Sequence, residues 1–429
     1  MVAKPHTFQE SVDYLLSLGN EVSAMKLGLE NIRRLLAALG DPQNNYLKVQ
    51  VAGTNGKGSV CAFLNSICLE AGIKTGLYTS PHLVSITERV KINGIDIVDD
   101  DFARLASRVR ETAEHLVARG ELEYTATFFE QVTAIALLAF ADAKVDLAIL
   151  ETGLGGRLDA TTAANAEIAG ITRIDYDHQN ILGATLTEIA AEKAAIIHEG
   201  SKVVVGEQEP EAMSIIVKRC GHLGLTPELS EHVSTTYSGW FKFATERAEY
   251  QVERLGLLGY HQIENAKVAI LLVETLQEHF QILPENIISG LETAVHPGRL
   301  ERRGRFLFDG AHNIGGARAL RKYLDENVHQ PVTMIFGAMR DKDISEIAEI
   351  LFPKAAVLIL TRPENPRSAD PQSIAELLPQ DKRSNTVITA SVSAAIEKGL
   401  IVSTGDDLIC VTGSLYLVGE LQKLLRSRI

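Results

Sequence analysis

From Leu47 onward, short runs of adjacent apolar residues alternate with longer stretches whose apolar positions recur at helical spacing. Short unbroken apolar runs mark strands buried on both faces, and their alternation with helices predicts an α/β fold with a mainly parallel sheet. The first strand is predicted at 48–52, a helix at 59–71 stopped by Gly72, and the next strand at 75–79. A helix at 128–141, strands at 146–151 and 168–174, a helix at 187–197 and a strand at 202–205 continue the rhythm. Residues 231–253 instead alternate apolar and polar side chains, which predicts a small antiparallel element beside the first domain. Two further helices, at 262–277 and 285–294, precede the breaker cluster His296-Pro297-Gly298-Arg299.

That cluster suits a junction between a domain at 1–297 and a second at 298–429. Beyond it the rhythm restarts, with strands at 305–309, 332–336, 356–360, 386–389 and 408–412. Helices near 316–326, 344–351, 371–378, 392–399 and 415–425 separate them, a second, Rossmann-like α/β domain. The expected architecture is therefore a P-loop-type parallel sheet domain with a small antiparallel side element, followed by a Rossmann-like domain. No internal repeat or low-complexity segment interrupts it.

The bulk numbers agree. A chain of 429 residues exceeds what one core usually spans, and 45% hydrophobic with 23% charged residues is globular composition. A net charge of -13 argues against a broad nucleic-acid surface, which needs clustered Lys and Arg. Cys61, Cys68, Cys220 and Cys410 are scattered without a CxxC pair, so reduced, packed thiols are expected. The start lacks the apolar core of a signal peptide, residues 11–18 read as an amphipathic helix, and the apolar stretches 134–141 and 268–273 are too short to span a bilayer. A cytoplasmic protein, monomeric and without a membrane partner, is expected.

The first chemical signal is Gly53-Thr54-Asn55-Gly56-Lys57-Gly58-Ser59, placed between a predicted strand and a predicted helix. Glycines let backbone N–H groups turn inward, the helix N-terminus adds partial positive charge, and Lys57 can reach the β- and γ-phosphates of ATP. The pattern GxxxxGK[ST] is not met, because Val51 stands five before Gly56 and Gly58 follows Lys57, which points away from motors and kinases. A glycine-rich turn serving packing alone is the rival reading, and the polar side chains at the tip argue against it.

This loop is one of a series. Leu27-Gly28-Leu29, Tyr78-Thr79-Ser80-Pro81-His82-Leu83, the run from Glu151-Thr152-Gly153 through Asp159-Ala160-Thr161, Asp177-His178, Glu192-Lys193-Ala194, His261-Gln262 with Asn265, Pro297-Gly298-Arg299 and Asp309-Gly310-Ala311-His312-Asn313 follow in order. In this order the chain resembles the folylpolyglutamate synthase and dihydrofolate synthase family, a branch of the Mur-type peptide ligases. The resemblance implies ATP-dependent amide formation between a pteroate or folate carboxylate and the amino group of L-glutamate. The carboxylate first takes the γ-phosphoryl group, and the amine then attacks the acyl phosphate.

The resemblance also implies roles. Gly53, Thr54, Asn55, Gly56, Lys57, Gly58 and Ser59 with Asn265, Arg299 and Asp309 would bind the nucleotide, and Lys57, Lys193 and His312 would act in catalysis. Ser80, Glu151 and His178 look like ligands for one or two Mg²⁺ ions, and a monovalent cation is allowed for beside them. His178 taken alone reads more readily as an ordinary polar surface or core histidine; the flanking Asp177 and the family order reverse that weighting. Lys193 matches a lysine that this family often carries as a carbamate; the plain alternative is a helix lysine pairing with Glu188 or Glu192. Thr127, Phe128, Phe129 and Glu130, with Leu158, Asp159 and Ala160, resemble the dihydropteroate-binding segments, although two aromatics at the start of an apolar helix are also common core. Ser414 is a fainter candidate for the incoming glutamate carboxylate. Dihydropteroate or a reduced folate, and L-glutamate, are the implied partners, with no nucleic acid. Ile314, Thr162, Ala195 and His198 depart from the residues usual at their positions and leave every proposed contact in place. Rival readings are a monofunctional folylpolyglutamate synthase, a ligase for UDP-muramoyl peptides and a nucleotide-binding regulator without ligase activity.

Overall fold

The computed structural model describes residues 6–19, 28–378 and 385–426. Leu27, in one of the quoted stations, and the first five residues of the start lie outside them. The described residues form two compact units. One comprises Met1–Ile174, Ala184–Leu255 and Glu264–Ala294, the other Asp175–Gly183, Gly256–Ile263 and Val295–Ile429.

The first unit is built on an eight-stranded sheet: β1 (Leu47–Ala52), β2 (Thr75–Tyr78), β3 (Val90–Ile92), β4 (Ile95–Asp96), β5 (Leu147–Glu151), β6 (Ile168–Ile171), β7 (Lys202–Val205) and β8 (Glu228–Leu229). Their spatial order is β4-β3-β2-β5-β1-β6-β7-β8. Only the β4-β3-β2 end is antiparallel; from β2 to β8 every pairing is parallel. Parallel strands are buried on both faces, and β5 is buried at all five residues, which is why its apolar run is unbroken. A three-stranded antiparallel sheet, β9 (Ser234–Tyr237), β10 (Phe241–Ala244) and β11 (Glu249–Val252), forms the side element.

Helices cover the large sheet. Lys57–Glu70 has nine buried residues, and Phe128–Ala143 is buried from Phe128 to Phe140, so neither shows the polar stripe of a surface helix. Helices Glu30–Ala38, Asp99–Ala118 and Pro210–His222 were not predicted. Among the described residues, no helix is long and apolar enough to cross a membrane. All four cysteines are free and buried.

The second unit carries a six-stranded sheet of β12 (Glu301–Arg303), β13 (Phe306–Phe308), β14 (Val332–Phe336), β15 (Val357–Leu360), β16 (Thr386–Ile388) and β17 (Leu408–Thr412). The order is β12-β13-β17-β14-β15-β16, parallel except for the β12-β13 hairpin. Its core gathers Leu307, Met334, Phe336, Leu358 and Leu360 from the sheet with Ala317, Leu320, Leu324, Ile347 and Leu351 from the covering helices.

Candidate active site

In the first unit the sheet brings three candidate stations to one edge. β1 pairs in parallel with β5, Val51 opposite Glu151, and β2 pairs in parallel with β5, Tyr78 opposite Leu150. Gly53, Ser80 and Glu151 therefore lie at the carboxyl ends of three adjacent strands, where open α/β sheets hold ligands. Glu151 is only 6% exposed, and its Oε2 accepts the Ser80 N–H at 3.1 Å.

The loop 53–59 turns on two glycines. Gly53 has φ 153° and Gly56 φ 93°, both in the region closed to most side chains. A Cβ on Gly53 would overlap Thr172 Oγ1, and one on Gly56 would overlap Asn265 Oδ1, so Asn265 is seated against the loop. The N–H groups of Thr54 and Asn55 donate to the Arg173 carbonyl at 2.9 and 3.1 Å. Lys57 opens the helix Lys57–Glu70, and its Nζ donates to the carbonyls of Gly53 at 3.1 Å and Thr54 at 3.3 Å. Gly58 and Ser59 follow in the first helical turn, whose N–H groups have no intrahelical acceptor. Lys193 is 3% exposed and its Nζ also donates to the Gly53 carbonyl, at 2.9 Å. The two candidate catalytic lysines thus share one oxygen of the loop.

Thr127-Phe128-Phe129-Glu130 starts the helix Phe128–Ala143 as a capping box. The Glu130 N–H donates to Thr127 Oγ1 at 3.3 Å, while Glu130 Oε2 accepts the Thr127 N–H at 2.8 Å and its hydroxyl at 2.9 Å. Burial pushes the Glu130 carboxyl upward against these bonds. Phe128 lies under the Arg89 guanidinium, 5.4 Å from its ring centre, and Phe129 packs against Tyr78 and beside Gly153. Asp159 is 3% exposed, and its Oδ2 accepts the N–H groups of Gly153 and Leu154, both at 2.9 Å. Its Oδ1 accepts the Thr161 N–H at 3.0 Å and hydroxyl at 2.5 Å, so all four acceptor positions of the carboxylate serve its own loop. Burial raises its pKa and these bonds oppose that. Beside it, Leu158 is half-buried and Ala160 buried.

The second unit assembles its own cluster at the carboxyl edge of β13, β17 and β14. Asp309 follows β13, and its carboxylate ties the breaker cluster to the strand: Oδ2 accepts the Leu300 N–H and Oδ1 the Ala311 N–H, both at 2.9 Å. Burial raises its pKa, and the Arg299 guanidinium opposes that shift. Leu300, next to Arg299, is held at φ 44°, unusual for a bulky side chain and a mark of local strain. Ser414, at the end of β17, accepts the Tyr416 N–H on its hydroxyl at 3.1 Å, a helix cap for Leu415–Arg426.

Asp177 and His178 belong to this second unit, although the sequence places them far upstream of the 297/298 junction. Asp177 Oδ1 holds Lys342 Nζ at 2.5 Å, and Oδ2 accepts from Asn313 Nδ2 at 3.2 Å and lies 3.8 Å from His312 Nε2. Lys342 Nζ is also 3.2 Å from His178 Nε2. Burial alone would raise the Asp177 pKa, but the charges of His312, Lys342 and His178 outweigh it and hold the carboxyl well below the usual range. His312 keeps 29% side-chain exposure, yet burial and the Lys342 ammonium push its pKa to about 4 against the pull of Asp177. Its Nδ1 lies 2.7 Å from the Gly310 carbonyl, which only accepts, so the neutral ring carries its proton there. Burial and Arg299 likewise push His261 to about 4. Sequence reasoning missed Lys342, whose signal is an Asp-Lys-Asp run four residues beyond a predicted strand.

The residues fit magnesium as far as a carboxylate and a serine, both hard oxygen donors, go. Among the described residues no group of three or more His, Cys, Asp or Glu side chains is placed to hold a metal ion. An ion at Glu151 and Ser80 would therefore complete its shell with phosphate oxygens and water, as Mg²⁺ usually does.

The chain resembles known proteins along nearly its whole length. Residues 51–273 match the family described as the Mur ligase middle domain, and residues 298–415 that described as the Mur ligase, glutamate ligase domain. The dihydrofolate synthase/folylpolyglutamate synthase of Bacillus subtilis is 34% identical, the match covering 94% of this chain and 96% of that protein. The probable bifunctional folylpolyglutamate synthase/dihydropteroate synthase of Haloferax volcanii is also 34% identical over 96% of this chain, which spans 50% of that longer protein. The structure of Escherichia coli FolC in complex with DHPP and ADP superposes with a TM-score of 0.88 at 28% identity, covering 99% of each chain. With its phosphate-type loop on one sheet and its Asp-Gly-Ala-His-Asn turn on the other, the chain belongs to the dihydrofolate synthase/folylpolyglutamate synthase family of Mur ligases.

Proposed function

We propose that the protein is an ATP-dependent ligase that joins L-glutamate to dihydropteroate and to the glutamyl chain of a reduced folate through an acyl phosphate. The observation that carries this reading is the loop 53–59 beside the buried Glu151 carboxylate and Ser80 on one sheet edge. A free carboxylate is a poor acyl donor, so the γ-phosphoryl group must be moved onto it before an amine can attack. The N–H groups of the first helical turn and Lys57 would stabilise charge on the phosphates, with Asn265 against the loop. Magnesium held by Glu151 and Ser80 would neutralise phosphate charge.

His312, neutral at ordinary pH with Nδ1 donating to Gly310, leaves Nε2 as an acceptor that can hold the proton of the attacking amine. Ser414 retains its hydroxyl proton for the glutamate carboxylate, because its oxygen already accepts from Tyr416. Arg299, fixed beside Asp309, supplies a cation for phosphate. Lys193 as a carbamate would exchange the Gly53-bound ammonium for an anion; an intact-protein mass without one added CO₂ would exclude that form.

Purified protein given Mg-ATP, glutamate and either dihydropteroate or tetrahydrofolate is expected to release ADP with both pterins. No ADP with either would sink the proposal. The second reading, a monofunctional folylpolyglutamate synthase, is favoured by the cap and core duties that occupy 127–130. Turnover with tetrahydrofolate alone would establish it.

A further inference from the structure

Gln50 is 1% exposed on β1, three residues before Gly53. Its Nε2 lies 3.1 Å from Thr152 Oγ1, 2.9 Å from Thr161 Oγ1 and 2.9 Å from Thr162 Oγ1. Two of the three threonine protons are spent elsewhere: Thr161 donates to Asp159 Oδ1 at 2.5 Å, and Thr162 to the Gly156 carbonyl at 2.8 Å. Their lone pairs therefore face residue 50, and only a donor satisfies them. Asp159 in turn closes the loop 152–162 on itself, accepting the N–H groups of Gly153, Leu154 and Thr161.

The far side of that loop rests on another station. A Cβ on Gly156 would lie 2.7 Å from the Glu192 carbonyl and 2.9 Å from that of Lys193, so the loop sits directly on the end of the helix Leu186–Ala194. The Arg157 N–H donates to the Glu192 carbonyl at 2.9 Å. Lys193 Nζ then returns to the Gly53 carbonyl at 2.9 Å. The links close a ring: Gln50 to Thr162, Thr162 to Gly156, Gly156 and Arg157 to the end of the helix, Lys193 to Gly53, and Gly53 back along β1 to Gln50. A shift of Gly53 cannot leave the loop of Asp159 and Ala160 where it was.

We propose that Gln50 is a positioning residue that couples the nucleotide loop to the loop 152–162, so that nucleotide and pteroate each change the affinity of the other. This rests on the proposed function, with ATP at 53–59, and on the family resemblance that implies a pteroate contact at 158–160. Coupling of two sites is reciprocal and commonly amounts to between about fivefold and a hundredfold in affinity. A glutamine in the core that merely filled space would affect stability and leave this factor alone.

The test is calorimetric titration of the full chain with ADP, with and without dihydropteroate, for wild type, Gln50→Glu and Gln50→Met. Wild type is expected to show about a tenfold change in ADP affinity, with the same factor when the order of ligands is reversed. Gln50→Glu keeps the shape but turns an acceptor towards two acceptors, and Gln50→Met removes the donor without adding charge. In both, each ligand is expected to bind alone while the factor falls to within about twofold of unity. A variant that keeps the wild-type factor, or a wild type with none, overturns the inference. If the wild type binds neither ligand, the proposed function itself falls, and this inference with it.

Discussion

Replacing Gly53 by alanine tests how the loop is built. The residue sits at φ 153°, and the added Cβ would overlap Thr172 Oγ1 and lie 3.0 Å from Thr172 Cβ and 3.1 Å from its carbonyl carbon. Thr172 cannot retreat, because its N–H donates to the Ala52 carbonyl at 2.8 Å and it is 1% exposed. A side chain in a sparsely populated backbone region costs about 1–3 kcal/mol. Overpacking against a fixed neighbour adds about 1–3 kcal/mol more.

The loop can relieve this only by moving the Gly53 carbonyl, which holds both Lys57 and Lys193. If about 3 kcal/mol is realised as that displacement, ADP affinity falls by about two orders of magnitude. Thr172→Ala removes the overlapping oxygen but leaves Cβ and backbone, so Gly53→Ala/Thr172→Ala should recover the overlap and none of the backbone strain. The double variant is then less destabilised than the sum of the singles by about 1–3 kcal/mol. ADP titration calorimetry and urea unfolding of all three variants measure both effects. Wild-type ADP affinity in Gly53→Ala, or strict additivity in the cycle, would refute the reasoning.

Glu151→Gln preserves shape and removes the charge facing Ser80; turnover is expected to fall about a hundredfold or more, with a right-shifted magnesium titration, as for removal of one electrostatic stabiliser. An unchanged magnesium dependence would dissociate Glu151 from the metal. The histidines predict a pH effect on stability. An unfolded histidine takes its proton near pH 6.5 or about that value, whereas His312 and His261 do so only at about 4. The unfolded chain therefore binds more protons across this window, so stability is full above it and is lost as pH falls. Thermal melts from neutral to acidic pH should decline, and His312→Gln should flatten the decline; a melting temperature that rises on acidification contradicts the assignment.

Much of the fold was legible because parallel strands write themselves as unbroken apolar runs. Strands 332–336 and 408–412 were placed to the residue, since each is buried along its whole length. The helix Asp99–Ala118 went unread although Asp99, Asp100 and Asp101 mark its first turn, an acidic signal favoured by the helix dipole. The site divides along similar lines. Gly53, Lys57 and Glu151 are local signals tied to strand ends, and sequence order exposes them. Lys342 and Gln50 depend on partners far along the chain, Asp177 and the threonines of 152–162, which no local pattern announces. Thr127 and Glu130 carry the spacing of a capping box, so their sequence serves helix initiation whatever else it serves.

The path of the backbone bears on how this protein can be cut and recombined. It passes from one unit to the other after Ile174, Gly183, Leu255, Ile263 and Ala294. A fragment starting at 298 would inherit Lys342 without Asp177, its ion-pair partner, leaving a nearly buried ammonium without its carboxylate. The portable module is thus discontinuous in sequence. A chimera that exchanges the glutamate-ligase half must carry 175–183 and 256–263 along with it, and gene-level swaps at a single junction would transplant an incomplete electrostatic core.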